Sequence, residues 1–167
     1  IASTATGNWD DGGTWVGGVA PGDGDSATTS AGHTITIPAG VTVTVGTSPA
    51  TGGTAAINAA GPLVINGTLY AKGDIKHSHA SGCVLGPGAR VEFIVPDTYR
   101  YDWHNGTAYA NHSPITSTAT SGSHATVTKS GVGECKIGGT ASNSCGMLQA
   151  SFVDFSNIGT ASTRAID

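Results

Sequence analysis

Apolar and polar residues alternate one by one along most of this chain. The clearest run is TITIPAGVTVTV at residues 34–45, and a second is RVEFIV at residues 90–95, where valine and phenylalanine share one face. This period of two is typical of half-buried β-strands. No window places apolar residues at the helical spacing of three and four, and glycine or proline interrupts nearly every ten residues. The pattern predicts an all-β protein with very little helix.

The predicted strands are short, and their connections are tight turns such as PAG, NG, KGD and GPG. Two architectures suit them, a meandering β-sandwich and a parallel β-helix with short strands between corners. Asn66-Gly67 is a strong signal for a two-residue hairpin, which favours the sandwich. Small residues between strands and threonines on outer faces favour stacked coils. Both architectures therefore stay open at this point.

Composition and charge narrow the classes of partner. Glycine, threonine, alanine and serine make up more than half of the 167 residues, and charged residues are only 11%, against about a quarter in ordinary domains. The net charge is −4, with seven scattered Lys and Arg residues, so no basic stripe exists for nucleic acid. No apolar run is long enough to cross a bilayer. We expect neither nucleic-acid binding nor membrane insertion.

The three cysteines allow one nearby pair. Cys135 and Cys145 lie in a Gly- and Ser-rich segment, ECKIGGTASNSCGM, that can close on itself. In an oxidising compartment we expect them to form a disulfide, with Cys83 left as a small buried hydrophobe. The alternative is three inert buried thiols, because spacing alone does not establish pairing.

The N-terminal half resembles a known fold family. The segment GNWDDGGTWVGGVAPGDGDSATTSAGHTITIPAGVTVTV, followed by LVINGTLYAKGDI, is similar to the opening coils of right-handed parallel β-helix surface proteins. Related patterns occur in the eight-glycine domain and in phage tail or virion-surface proteins. The resemblance implies a right-handed parallel β-helix with an N-terminal cap at residues 1–32 and coils at 33–167. A long loop is expected at 96–125, with further coils beyond position 167.

Trp9 and Trp15 are the candidates for covering the first coil, because the end of a solenoid must shield its core. Their alternative role is as core anchors of a sandwich. The acidic pairs WDDGG and GDGD are interpreted as turns in which aspartates bind nearby backbone N–H groups.

Catalytic and metal-binding patterns are weak. Glycoside hydrolysis needs paired carboxylates, but the nearest set, Glu92, Asp97 and Asp102, straddles a loop. No GxSxG motif occurs. His77 and His79 are weak candidates for a metal site, since no third ligand is implied. We predict no cofactor, and we expect this chain alone not to cleave polysaccharide.

Aromatic residues are concentrated between positions 96 and 115, in an otherwise aromatic-poor chain. Flat rings beside hydrogen-bonding groups suit a saccharide or a protein partner. The alternative is a loop packed over one flank of the solenoid. The predicted ligand-binding residues are Tyr99, Arg100, Tyr101, Trp103, His104 and Tyr109.

These observations together suggest a structural and adhesive module of an extracellular or virion-surface protein, in contact with glycan or a partner protein. The alternatives are the N-terminal part of a polysaccharide lyase or glycoside hydrolase, and a glycan-binding module. Low surface charge and small side chains also favour self-association into a homo-oligomer.

Overall fold

Short parallel strands form almost all of the regular structure. The computed structural model describes residues 1–47, 54–80, 82–96, 99–105, 114–137 and 148–158. Within them the only helix is a single 3₁₀ turn at Gly12–Thr14, which confirms the predicted all-β class. The strands are β1 (Gly7–Asn8), β2 (Ala27–Thr29), β3 (Ile35–Ile37), β4 (Thr42–Val45), β5 (Ala55–Ala59), β6 (Leu63–Ile65), β7 (Thr68–Ala71), β8 (Asp74–His77), β9 (Cys83–Leu85), β10 (Arg90–Ile94), β11 (Arg100–Asn105), β12 (Ile115–Ser117), β13 (Ala125–Ser130), β14 (Glu134–Ile137), β15 (Leu148–Gln149) and β16 (Val153–Ser156).

The strands belong to three sheets that the chain visits in a repeating order. Sheet I has the order β1-β3-β6-β9-β12-β15, sheet II β4-β7-β10-β13-β16, and sheet III β2-β5-β8-β11-β14. We call three consecutive strands, one in each sheet, a round; the first round is β2 to β4. Neighbouring strands within the sheets run parallel. A meandering sandwich joins antiparallel neighbours, so the sandwich alternative does not fit.

The core is built from columns of side chains that point inward at the same height of successive rounds. In sheet II, Val43, Leu69, Val91 and Val127 are in register and buried. The predicted alternation at residues 90–95 is confirmed, because Val91, Phe93 and Val95 are buried while the residues between them are half-buried. Each such aliphatic side chain contributes about 1.5–3 kcal/mol when it leaves water.

Sheets I and III add matching columns. Their buried in-register residues are Ile35, Leu63, Cys83 and Ile115 in sheet I, and Ala27, Ile57, Ile75, Trp103 and Ile137 in sheet III. The columns of the three sheets belong to one hydrophobic cluster that runs through all rounds.

The hairpin predicted at Asn66-Gly67 is wrong. These residues connect β6 of sheet I to β7 of sheet II, and both backbone N–H groups donate to the carbonyl of Ile37, at 2.9 and 3.1 Å. A Cβ atom on Gly67 would collide with the carbonyl oxygens of Pro38 and Val41. Glycine is needed here because one corner lies directly on the corner of the preceding round.

The N-terminal residues lie over the first round. Trp9 and Trp15 are buried and meet edge to face, with ring centroids 5.0 Å apart. The indole of Trp9 donates to the carbonyl of Pro21 at 2.9 Å, and that of Trp15 to the carbonyl of Trp9 at 2.7 Å. Both buried N–H groups therefore have acceptors, as the interior requires.

Several strands lie within ranges that the sequence assigned to a cap or a loop. Strand β2, Ala27–Thr29, falls within the expected cap at residues 1–32, and it pairs with β5 as a strand of sheet III. Strands β11 and β12 fall within the predicted long loop at 96–125, and both belong to the sheets. The predicted bounds of the cap and of the coils themselves stay predictions.

Candidate functional site

Strand β11 divides the predicted ligand-binding residues between the two faces of sheet III. Tyr101 and Trp103 point inward and are 1% and 0% exposed, whereas Arg100 and Asp102 point outward. Both rings fill the core between rounds, and their predicted role in ligand binding stays a prediction. Trp103 packs against Phe93, with ring centroids 6.1 Å apart.

The three remaining predicted residues are Tyr99, His104 and Tyr109. Tyr99 is half-buried and packs against the core cluster. The backbone of His104 is in register with Lys76. Tyr109 lies outside the described residues. Among the predicted residues whose side chains the structure describes, Arg100 carries a charged group, and this group lies on the outer surface.

An ion pair on β11 lies on the outer surface of sheet III. Arg100 donates from Nε to Oδ1 of Asp102 at 2.8 Å and from Nη2 to Oδ2 at 2.7 Å. Asp74 accepts the backbone N–H of Asp102 at 2.9 Å, and Glu134 is in register with Arg100 on the next strand. We call Asp74, Arg100, Asp102 and Glu134 the charged face.

The electrostatics of the charged face hold the arginine in place. The hydrogen bonds to Asp102 raise the pKa of Arg100 above its usual value; partial burial opposes this, and the charges of Asp102, Glu134 and Asp74 add to it. A bidentate arginine–carboxylate contact adds a defined geometry to the attraction of opposite charges. The guanidinium of Arg100 is therefore oriented by Asp102.

Two carboxylates of the charged face lie on adjacent strands, an arrangement that the sequence reasoning missed. Ile75 and Trp103 are in register, so the residues before them, Asp74 and Asp102, are neighbours on β8 and β11. The aligned alternation of DIKH and RYDWHN was the available signal. Both oxygens of Asp102 accept from Arg100, and Asp74 is only 4% exposed. The two acids serve structural bonds, and neither is placed as an open acid or base.

Sheet II carries a second arginine–carboxylate pair of the same spacing. Arg90 donates to Oε2 of Glu92 from Nε at 3.2 Å and from Nη2 at 2.7 Å. Partial burial by itself would raise the pKa of Glu92, but hydrogen bonds from Arg90 and Ser130 and the charge of Arg90 lower it overall. In register with Glu92 lie Tyr70 on one side and Thr128 on the other.

The histidines predicted as weak metal candidates have different surroundings. His77 ends β8, is buried, and lies edge-on to Trp103 with ring centroids 5.9 Å apart. His79 follows the strand and is half-buried. Across the described ranges, no group of three or more His, Cys, Asp or Glu residues is arranged to hold a metal ion.

Two of the acidic residues near the N-terminus stabilise turns, as predicted. Asp11 accepts the N–H of Gly13 at 2.8 Å, and Asp25 accepts the N–H of Gly22 at 3.0 Å. These side-chain contacts satisfy backbone donors within the turn.

The cysteines that the structure describes are buried. Burial raises the pKa of the Cys83 thiol, and it raises that of Cys135 to about 12, with the charges of Asp102 and Asp74 adding to the effect. Cys83 fills a core position, as expected of a small hydrophobe. Cys145 lies outside the described residues, so its pairing with Cys135 stays a prediction.

Comparison with protein-family profiles, curated proteins and solved structures finds no match for this chain. Among the described residues, no helix has the length and apolar character that crossing a bilayer requires.

Proposed function

We propose that the three sheets are the faces of a right-handed parallel β-helix, and that the chain is a structural, adhesive module of an extracellular or virion-surface protein. The observation that carries this proposal is the cyclic order of strands among three parallel sheets around one core. Each round packs only on its neighbours, as in solenoids that act as rigid spacers and extended surfaces.

The engagement of the carboxylates supports a role without catalysis. On sheets II and III, Glu92 and Asp102 are held by arginines on their own strands, and Asp74 bonds to backbone. Catalytic carboxyl groups of glycosidases must reach substrate and exchange protons. These groups instead stabilise the outer faces.

The charged face is the proposed contact surface for a glycan or a partner protein. Arg100 is half exposed, with 51% of its side chain accessible, and it is held at fixed geometry by Asp102. A fixed, partly exposed guanidinium suits sugar hydroxyls, carboxylates or a protein rim.

A glycan array probed with the whole chain tests this contact. Binding to any immobilised saccharide should fall about tenfold or more in Arg100→Ala, since it loses hydrogen bonds to a charged group. Arg90→Ala is the matched control, because it removes the same kind of pair from sheet II. If both variants lose saccharide binding equally, or if no saccharide binds the chain, the charged face is not a glycan site.

The second candidate is the N-terminal part of a polysaccharide lyase or glycoside hydrolase, favoured only by the adjacency of Asp74 and Asp102. Incubation with polysaccharides and measurement of new reducing ends tests it. We expect no product; product formation that disappears in Asp102→Asn would establish the enzyme.

Self-association is also proposed. Several apolar side chains are exposed on the described surface, namely Val16, Val19, Val132 and Phe152, and few charges oppose close approach. Light scattering coupled to size exclusion over a concentration series should show a homo-oligomer. A monomer at every concentration would contradict it.

A further inference from the structure

The residues before the first round pair with its three strands to different extents. Ala2 pairs in parallel with Thr28 of β2, and β1 pairs with β3, so sheets I and III each gain a partner at this end. Beside β4 of sheet II, the corresponding contact is one bridge between Asp23 and Gly46. Within the described ranges, no strand or bridge pairs with the outer edge of β4 itself.

The backbone of β4 therefore keeps an open side. The carbonyls of Val41 and Val45 accept from the N–H groups of Thr68 and Lys72, both at 2.9 Å. Because successive residues of a strand direct their backbone groups to opposite edges, Thr42 and Thr44 direct theirs away from β7.

A cleft of about 340 Å³ lies along this open side. It is lined by residues 41–44 at β4, by the segment 20–23, and by Trp9 and Asp10. The segment 20–23 is anchored at its two ends, because Trp9 bonds to the Pro21 carbonyl and Gly24 donates to the Gly46 carbonyl at 3.0 Å.

The rim of the cleft is acidic. Asp10 and Asp23 both line it, and Asp23 is bound by Lys72 at 2.6 Å. Asp10 is exposed, and no ion pair to it is found in the described part of the chain. A basic group beside Asp10 would complete the charge balance of the rim.

We infer that this cleft, the edge cleft, binds an extended basic segment of a partner polypeptide, which adds a strand to sheet II at β4. An extended backbone matches the alternate donors and acceptors of Thr42 and Thr44. A Lys or Arg of the segment pairs with Asp10.

The probe is the capped hexapeptide Lys-Thr-Val-Thr-Val-Lys, with binding to the whole chain followed by fluorescence anisotropy. The control peptides are the fully N-methylated form, which keeps side chains and charge but has no backbone donors, and a form with Glu in place of Lys. We expect binding of the first peptide, none of the second, and about threefold or more weaker binding of the third.

Variants of the chain locate the bound peptide. Thr44→Pro removes the N–H on the open side while leaving the bonds of Val43 and Val45 to β7, and proline is tolerated on such edges. It should abolish binding, whereas Thr44→Val should retain it. If circular dichroism shows Thr44→Pro unfolded, Ala20→Arg blocks the cleft from the segment 20–23 and should likewise abolish binding.

Several results would overturn the inference. They are no peptide binding, equal binding of the N-methylated peptide, equal binding of the acidic peptide, unchanged binding in a folded Thr44→Pro variant, and unchanged binding in Ala20→Arg. A peptide-free dimer that disappears in Thr44→Pro would make a second copy the occupant and also overturn it. Arg100→Ala should leave peptide binding unchanged, which separates this test from that of the charged face.

Discussion

Two valines of one column provide the sharpest test of the stacked core. Val91 is 0% exposed and lies in register between Leu69 and Val127, whereas Val43 is 6% exposed, has Leu69 on one side and borders the edge cleft on the other. Val43→Ala and Val91→Ala are therefore chemically identical changes at the open end and in the sealed middle of the same column.

The magnitudes follow from burial. Each change removes two methylene equivalents, worth about 1.6 kcal/mol of transfer free energy. In the middle of the column the space stays empty, and a void of roughly 45 Å³ adds about 1 kcal/mol. At Val43, the end of the column, water from the cleft can fill the space, so the extra cost of an empty cavity does not arise. We expect unfolding free energies to fall by about 2.5 kcal/mol in Val91→Ala and about 1.5 kcal/mol in Val43→Ala.

Urea unfolding followed by both circular dichroism and tryptophan fluorescence measures the two costs. Coincident transitions and an unchanged m value are required, since a lost cooperative transition would change m. If Val43→Ala lowers the unfolding free energy as much as Val91→Ala or more, the reasoning that the column is closed at Val91 and open at Val43 is wrong.

Three further predictions concern single residues. The lowered pKa of Glu92 means that its stabilising effect is present above the unfolded pKa of about 4.5 and disappears as pH falls through the lower folded value. In Glu92→Gln, the urea midpoint should therefore depend less on pH over this acidic range than it does in the unchanged protein. Gly131, at φ +83°, faces a backbone carbonyl of the preceding round, so Gly131→Ala should cost more than the 1–2 kcal/mol or so of a left-handed conformation. Gly17→Ala, at φ +89° in open space, is its control in thermal unfolding. In the reduced native protein, Cys83 and Cys135 should react with iodoacetamide far more slowly than after denaturation, because burial raises their pKa; fast native labelling of both would contradict their burial.

Local alternation carried the most structural information in the sequence. It placed the strands at 34–45 and 90–95 and the inward face of β10, because a half-buried strand imposes the period of two on its residues. The same alternation in RYDWHN points Tyr101 and Trp103 inward. The local concentration of rings left both a ligand-binding and a packing role open, because composition does not record which face a side chain occupies.

Relations between rounds were harder to predict. The sheet III column Ala27, Ile57, Ile75, Trp103 and Ile137 has unequal spacing in the sequence, so no fixed repeat reveals which strands are neighbours. The adjacency of two acids on the charged face and the open side of β4 both depend on that register. They follow from long-range pairing, which single-sequence patterns do not encode.

The two arginine–carboxylate pairs have a consequence for how such a chain can evolve. Arg90 and Glu92 lie on one strand, and Arg100 and Asp102 lie on another, so each pair is complete within a few codons. Tandem duplication of the segment that encodes one of these strands copies its charge compensation along with it. A duplicated strand therefore needs no new charged residue elsewhere in the chain to balance its own. The main remaining constraint on such a strand is that its inward side chains fit the core.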